Sequence, residues 1–153
     1  MYLIIHETGH LIFYITVIST ILLLFRKTGK KLFTPKHLLI GLVSVLFIDL
    51  DHLIDYFLYY GFSFNLHDFA LGTQFAYSGK VYVFFHSWEL LLFLLIGGFY
   101  QIKKKNNYVL FVITLGMLSH VLYDTAYYSF PLIDYSLVYR IIKNFDISVF
   151  RGY

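Results

Sequence analysis

Residues 38–60, LLIGLVSVLFIDLDHLIDYFLYY, decide the fold of this chain. They form an apolar run of the length that a membrane-spanning helix needs, about 20 residues. The second half of the run nevertheless contains Asp49, Asp51, His52 and Asp55. A charged side chain near the middle of a bilayer costs about 2.5 to 3.5 kcal/mol. The stretch therefore predicts a membrane protein whose polar residues have a purpose inside the membrane.

The composition of the whole chain agrees with a membrane protein. Hydrophobic residues make up 59% of the 153 residues and charged residues only 14%, against about 25% charged residues in soluble domains. The length predicts a single domain, 1–153. The chain contains no cysteine, which excludes disulfides, thiolate ligands and thiol nucleophiles. Any bound metal would therefore be held by histidine nitrogen and carboxylate oxygen.

Three further apolar runs predict three more membrane-spanning helices. We expect an all-α fold, a membrane-spanning bundle of four helices with spans at about 2–25, 38–60, 81–100 and 108–128. Residues 134–146 carry apolar side chains at helical spacing, which predicts a C-terminal amphipathic helix on the membrane surface or packed against the bundle. A cleavable signal peptide is disfavoured, because positive charge follows the first apolar run instead of preceding it.

The basic residues predict the orientation of the chain. Five of the twelve lie in the first loop, between residues 26 and 36, and three more lie at 103–105 in the third loop. Neither loop contains an acidic residue, so the positive-inside rule places both in the cytoplasm. The N-terminus, the loop at 61–80 and the tail would then be on the outer side. We expect a multi-pass protein of the cell membrane (inner or plasma membrane) with no nucleic-acid partner.

Histidines accompany the acidic residues in every predicted span. Counted along each helix at 1.5 Å per residue, these histidines and acidic residues fall in the outer half of the membrane. Within a span they are three or four residues apart and so share one helix face. No Lys or Arg lies deep in a span, so bound cations, or protons with water, must balance the acids. The predicted metal ligands are His6, His10, Asp49, His52, His86, His120 and Asp124.

The number of these ligands points to one or two divalent ions. Helix bundles use the same spacing to build carboxylate–histidine metal sites, and one zinc needs only four ligands. Zinc is the first expectation, with manganese or iron as alternatives. Two ions about 3.5 to 4 Å apart favour phosphoryl chemistry, with Glu89 or Glu7 as general base. Asp51 would serve a second ion or support a ligand. For any one residue, the alternative is a hydrogen-bonding contact between helices.

The segment His6-Glu7-Thr8-Gly9-His10 fits the pattern H-E-x-x-H. In zinc proteases with this pattern, the histidines bind zinc and the glutamate is the general base. With glycine before the second histidine, inside a first membrane helix, the segment resembles site-2 intramembrane proteases. That family also needs a late aspartate in an Asn-Pro-Asp-Gly or Leu-Asp-Gly type motif, and this chain contains neither.

Three short boxes, in order along the chain, resemble those of small multi-helix membrane-bound metal-dependent hydrolases. The boxes are Asp49-Leu50-Asp51-His52 (D-x-D-H), His86-Ser87 (H-S) and His120-Val121-Leu122-Tyr123-Asp124 (H-x-x-x-D). That family is considered a distant relative of zinc-dependent phospholipase C and P1-type nucleases. The resemblance implies that His10, Asp49, His52, His86, His120 and Asp124 bind metal. Ile48 stands where the family has proline, and the His-Arg pair before the H-S box is missing, which concerns substrate phosphate contacts more than metal binding.

The leading hypothesis is therefore a membrane-embedded, metal-dependent hydrolase. Its substrate would be a lipid or lipid-linked phosphoester that reaches the site from the outer leaflet. A proton or divalent-metal transport protein is the first alternative, because intramembrane acid and histidine chains suit relays; the apolar inner halves of the spans count against a conduction path. A site-2-like intramembrane metalloprotease is the second alternative. The sequence predicts neither the oligomeric state nor the role of the loop at 61–80.

Overall fold

A computed structural model describes residues 2–24 and 34–150, and side chains from residue 5 onward. Within these ranges every regular element is helical, and the only extended pairing is an isolated antiparallel bridge between Lys80 and Asp146. The all-α prediction is confirmed. The basic residues of the first loop, apart from Lys36, lie outside the described residues.

The described part of the chain contains eight α-helices and two short 3₁₀ helices, numbered here in chain order. The α-helices are α1 (Tyr2–Leu24), α2 (Pro35–Phe47), α3 (Leu50–Tyr60), α4 (Leu66–Ala70), α5 (Thr73–Ser78), α6 (Trp88–Lys105), α7 (Val109–Tyr128) and α8 (Leu137–Ile142). The 3₁₀ helices are Leu132–Tyr135 and Ile147–Val149.

Three helical stretches are long and apolar enough to cross a membrane, which favours a membrane protein. They are Ile5–Leu24 in α1, Pro35–Tyr60 in α2 and α3, and Val109–Tyr128 in α7. The second stretch begins at Pro35 because Thr34 caps it: the Thr34 Oγ1 accepts a hydrogen bond of 3.3 Å from the His37 N–H. A local break separates α2 from α3, and Asp49 occupies the N-cap position of α3.

The predicted span at 81–100 differs from the observed structure. Helix α6 begins only at Trp88, because the Ser87 side chain accepts a hydrogen bond from the Leu90 N–H and caps the helix there. Residues 80–87 form a non-helical segment in front of it. Helix α6 is not among the described stretches that are long and apolar enough to cross a membrane, so the fourth span stays a prediction.

Helix α7 packs against α1, α2 and α6 at the centre of the fold. Its contact with α2 is very close, because a Cβ at Gly116 would lie 2.5 Å from the Gly41 carbonyl oxygen and 2.1 Å from the Ser44 Oγ. Small residues allow helix backbones to approach in this way. Gly9 plays the same part between α1 and α7, where the Tyr123 hydroxyl occupies the space of a side chain. The close approach brings the polar residues of all three helices within reach of one another.

The C-terminal segment is less regular than the predicted helix at 134–146. Only Leu137–Ile142 is α-helical, and Asn144 and Phe145 adopt positive φ angles that end it. The helix also does not turn its apolar face toward the rest of the fold. Arg140 is fully buried, whereas Val138, Ile141 and Ile142 are exposed. The segment thus packs against the rest of the fold through a charged side chain and turns apolar side chains outward.

Candidate metal centre

The seven predicted ligands lie together in one cluster, although four separate segments carry them. Helix α1 contributes two histidines, the start of α3 an aspartate and a histidine, the segment at 80–87 a histidine, and α7 a histidine and an aspartate. Every one of them has a nitrogen–oxygen contact shorter than 4 Å with another member. The members are His6, His10, Asp49, His52, His86, His120 and Asp124.

Asp49 lies among three histidines from three different segments. Its Oδ1 is 3.2 Å from the Nε2 of His52, 3.5 Å from that of His86 and 3.3 Å from that of His120. The Asp49 carboxylate, His86 and His120 form one group whose potential ligand atoms all lie within 4.8 Å of one another. One carboxylate oxygen facing three imidazole nitrogens is an arrangement that a cation between them would satisfy.

Asp124 has the corresponding position on the other side of His120. Its Oδ1 is 3.4 Å from the His6 Nε2 and 3.2 Å from the His10 Nε2, and its Oδ2 is 3.2 Å from the His120 Nε2. The two α1 histidines and Asp124 form a second group of potential ligands. Because His120 contacts both carboxylates, the two groups adjoin, as a site for two ions requires.

The proton on His120 can be assigned from its second nitrogen. The Nδ1 is 2.8 Å from the carbonyl oxygen of Val45, an atom that only accepts hydrogen bonds, so the Nδ1 carries the proton and donates. The Nε2 of the neutral ring then presents a lone pair to the cluster. This second-nitrogen contact is the usual way in which proteins orient a metal-binding histidine.

His86 is oriented in a similar way by Asp51. The Asp51 Oδ2 is 3.1 Å from the His86 Nδ1 and also accepts a 2.7 Å hydrogen bond from the Phe85 N–H. Asp51 is fully buried and holds both the imidazole and the backbone beside it. Of the two roles expected for Asp51, the geometry agrees with support of a ligand, since a carboxylate–histidine pair is a common support for zinc ligands. An alternative group of Asp51, His52 and His86 also has metal-ligand spacing.

The donor atoms of the cluster fit a divalent cation better than they fit one another. The Nε2 atoms of His86 and His120 and the Oδ1 of Asp124 are buried and have no hydrogen-bond partner. Buried polar atoms are rarely left in that state. In a tetrahedral site with metal–ligand distances near 2.05 Å, neighbouring ligand atoms are about 3.3 Å apart, and the distances around Asp49 are 3.2 to 3.5 Å.

Arg140 holds the site in place, although no motif or spacing in the sequence marks it. Its guanidinium donates hydrogen bonds to the carbonyl oxygens of Tyr82, Val83 (3.0 Å) and His86 (2.9 Å) and so fixes the segment that carries His86. Burial lowers its pKa, and the carboxylate of Asp51 acts in the opposite direction. The only sequence signal was a basic residue in a tail expected on the outer side, where the positive-inside rule disfavours it.

The charge of Arg140 also changes the electrostatic argument for a bound cation. Arg140 lies outside the predicted spans, yet its charge acts on the carboxylates of Asp51 and Asp55 and so helps to balance them. In the described part of the chain, Asp49 and Asp124 form ion pairs with histidines alone. Bound cations, or protons with water, stay the predicted balance for Asp49 and Asp124.

The two candidate bases occupy different places. Glu7 lines a cavity together with His6, Asp49 and His52, next to the cluster. Glu89 does not face the cluster: its carboxylate accepts hydrogen bonds from the Ser136 hydroxyl (2.5 Å) and from two backbone N–H groups, those of Leu137 and Val138, at the start of α8. The two residues at 86 and 89 do not share a helix face, because His86 precedes the helix. Glu89 therefore caps α8, and of the two candidates only Glu7 lies beside the cluster.

Asp55 also has a structural role. It was expected on the same face as Asp49 and His52, but its two oxygens accept 3.0 Å hydrogen bonds from the N–H groups of Tyr82 and Val83. Together with Asp51 and Arg140 it holds the non-helical segment in place. The two steps of three residues turn Asp55 about 120° around the helix axis from Asp49, which is enough to direct its carboxylate to a different neighbour.

Comparison of the chain with family models, with curated proteins and with solved structures finds no match to any of them.

Proposed function

We propose that this protein is a membrane-embedded, metal-dependent hydrolase of a lipid or lipid-linked phosphoester. The observation that carries the proposal is the pair of carboxylates, Asp49 and Asp124, that share His120 and face buried imidazole nitrogens without hydrogen-bond partners. Adjoining carboxylate–histidine groups suit two ions and phosphoryl chemistry. Zinc is the first choice of metal, because histidine and carboxylate are its usual ligands where cysteine is absent.

In the proposed hydrolysis, the metal and the residues around it would have different roles. The bound metal would supply a nucleophile at neutral pH and stabilise charge on the phosphoryl oxygens. Glu7 would accept the proton of the attacking water on its carboxylate and pass it to the oxygen of the leaving alcohol. One P–O bond forms to the water oxygen as the P–O bond to the alcohol breaks. Asp51 and Val45 would hold His86 and His120 in the tautomers that bind metal.

The membrane arrangement belongs to the same proposal. Helix α6 would be the fourth span of a four-helix bundle, with the basic residues at 103–105 in the cytoplasm and the N-terminus and metal cluster on the outer side. The exposed apolar side chains of Val138, Ile141 and Ile142 support a tail that lies on the outer membrane surface. A lipid-like substrate would then reach the cluster from the outer leaflet.

Elemental analysis of the purified protein tests the proposal most directly. We expect one or two equivalents of Zn, Mn or Fe per chain, and hydrolysis of 4-nitrophenyl dodecyl phosphate in detergent that a chelator abolishes. Asp49→Asn should lose metal and activity, whereas Asp68→Asn, in the outer loop, should keep both. Protein that contains none of these three metals contradicts the proposal.

One observation favours a second candidate function, an intramembrane metalloprotease. His6, His10 and Asp124 form a group of potential ligands by themselves, and Glu7 stands beside them in the H-E-x-x-H pattern. The group thus includes a late aspartate, although the motif that site-2 proteases place around it is missing. The variant His86→Ala separates the two functions. A protease would cleave a membrane-helix peptide at an unchanged rate, whereas the proposed hydrolase would lose its activity.

A further inference from the structure

A cavity of about 460 Å³ adjoins the metal cluster on the side of α4 and α5. We call it the α4–α5 cavity. Glu7 and the cluster residues His6, Asp49 and His52 line it, together with residues 69–72 and 74–75. Its volume is within the range of cavities that bind small molecules. The ring of His52 contacts that of Phe75 edge to face, at 5.5 Å between centroids, so α5 lies directly against the cluster.

Gln74 supplies an unsatisfied polar group in this cavity. The side chain is only 1% exposed and lines the cavity, and its Oε1 has no hydrogen-bond partner. A buried amide without a partner is costly, about 1 to 3 kcal/mol for the missing hydrogen bond. The amide can donate as well as accept, because the oxygen and nitrogen of a glutamine exchange places when the group rotates. It is therefore suited to contact a polar headgroup close to His52.

The wall of the cavity on the side of α2 and α3 includes three leucines. They are Leu46, Leu50 and Leu53. Leu46 and Leu50 are about two-fifths exposed on the outside of a helical stretch that is apolar enough to lie in a membrane. The cavity thus opens sideways, toward the position of the lipid chains. A soluble phosphoester has no need of such an opening, whereas a lipid requires one.

We infer that the α4–α5 cavity binds a monoalkyl or lipid phosphate, with its phosphate between the metal cluster and Gln74 and its chain along Leu46 and Leu50. The inference rests on the proposed function and names the substrate class of the same site. It also assigns a role to the loop at 61–80, since α4 and α5 belong to that loop and close the cavity on one side.

A second cavity provides the contrasting case. It has a volume of about 510 Å³ and lies between α2, α6 and α7, lined by Leu39, Val43 and other apolar side chains. Its only polar lining residue, Ser44, already donates a hydrogen bond to the Gly41 carbonyl oxygen. This cavity contains no cluster histidine and offers nothing to a headgroup. It serves as the control in the experiment.

Binding of dodecyl phosphate to the full-length, metal-loaded protein in detergent tests the inference by titration calorimetry. Inorganic phosphate and dodecanol are the two comparison probes, one for the anion and one for the chain. We expect dodecyl phosphate to bind at least tenfold more tightly than either. Gln74→Leu should weaken its binding about tenfold or more, whereas Gln101→Leu, in α6, should leave binding unchanged. Equal affinities for dodecyl phosphate and inorganic phosphate would overturn the role of the chain.

A second pair of variants keeps the test decisive if Gln74→Leu fails to fold. Leu50→Trp narrows the opening of the α4–α5 cavity and should weaken binding of dodecyl phosphate without affecting inorganic phosphate. Leu39→Trp, an exposed leucine at the other cavity, should change neither. The inference is overturned if Leu39→Trp weakens binding of dodecyl phosphate and Leu50→Trp does not. Elemental analysis of each variant separates the two proposals: wild-type metal content with unaltered dodecyl phosphate binding contradicts this inference alone, and metal-free wild-type protein contradicts the proposed function.

Discussion

Gly116 and His120 are one turn apart on α7, but the regions around them are held together differently. Around Gly116, which we call the packing half, the side-chain hydroxyls of Ser44 and Thr114 have carbonyl partners and Val112 is fully buried. Around His120, the histidine half, imidazole and carboxylate atoms are buried without partners. The packing half is complete as an assembly of helices. Under the proposed function a bound cation would supply those partners in the histidine half, so metal and stability should be coupled on that side of the turn alone.

The variant His120→Ala should have the largest effect, and this effect should be on the histidine half. Of the two histidines that contact both carboxylates it removes the closer one, which lies 3.3 Å from Asp49 and 3.2 Å from Asp124; His86 lies 3.5 and 3.7 Å from them. We expect metal affinity and hydrolysis to fall more than 100-fold, beyond the 10- to 100-fold effect of residues that only orient a ligand. Metal content and turnover of 4-nitrophenyl dodecyl phosphate measure this. The exposed His67 provides the matched control, His67→Ala, and retention of metal by His120→Ala would contradict the assignment.

The variant Asp51→Asn should have the next largest effect. Asparagine keeps the shape of the residue but removes the charge that holds the His86 ring, so metal affinity should fall about 10- to 100-fold. Competition with a fluorescent zinc chelator measures the affinity. Asp134 provides a control, because it is equally buried but lies outside the predicted ligand set. If Asp51→Asn and Asp134→Asn bind zinc equally well, Asp51 does not orient a ligand.

The variant Gly116→Ala should affect the packing half without affecting the metal. Because the added Cβ would collide with the Gly41 backbone, we expect unfolding to become easier by about 1 to 3 kcal/mol. Denaturation in mixed detergent micelles measures this, with Gly97→Ala as a milder control whose Cβ meets only the side chain of Leu110 at 3.1 Å. The metal content of the folded fraction should stay at the wild-type value, and a parallel loss of metal would show that the two halves are not separable.

The variant Thr34→Ala should have the smallest effect. It removes the cap of α2, which is far along the helix from the histidines, and should cost about 1 kcal/mol of stability. Thr34→Ser keeps the hydroxyl and is expected to restore the wild-type value. The same denaturation experiment measures both variants. A change in metal affinity for Thr34→Ala would show that the cap of α2 and the histidine half are not independent.

Short-range spacing in the sequence was enough to predict which residues share a helix face. His6 and His10, and likewise His120 and Asp124, are four residues apart within uninterrupted helices. The two histidines of α1 lie 3.4 and 3.2 Å from Asp124, which itself lies 3.2 Å from His120. Three predicted spans also correspond to observed helical stretches that could cross a membrane. In such segments the regular helix carries the periodicity of the sequence directly into space. Which cluster residues bind metal stays a prediction.

The interactions around His86 could not be predicted in the same way. Its neighbours at the site, Asp51 and Arg140, are 35 and 54 residues away along the chain, and no periodicity relates such positions. The polar start of α6 was included in the predicted span because its cap, Ser87, stands within the mostly apolar run at 81–100. Because the helix begins at Trp88, Glu89 contacts the start of α8 and not the cluster.

The contact between Arg140 and His86 has a consequence for the biosynthesis of the protein. A ribosome adds 54 residues between these two positions, and the whole of α7 is made in that interval. A nascent chain that already contains every predicted ligand therefore still lacks the guanidinium that holds the segment around His86. For the proposed metal site, loading would then be a late step of maturation, and we expect a chain interrupted before residue 140 to bind the cation poorly.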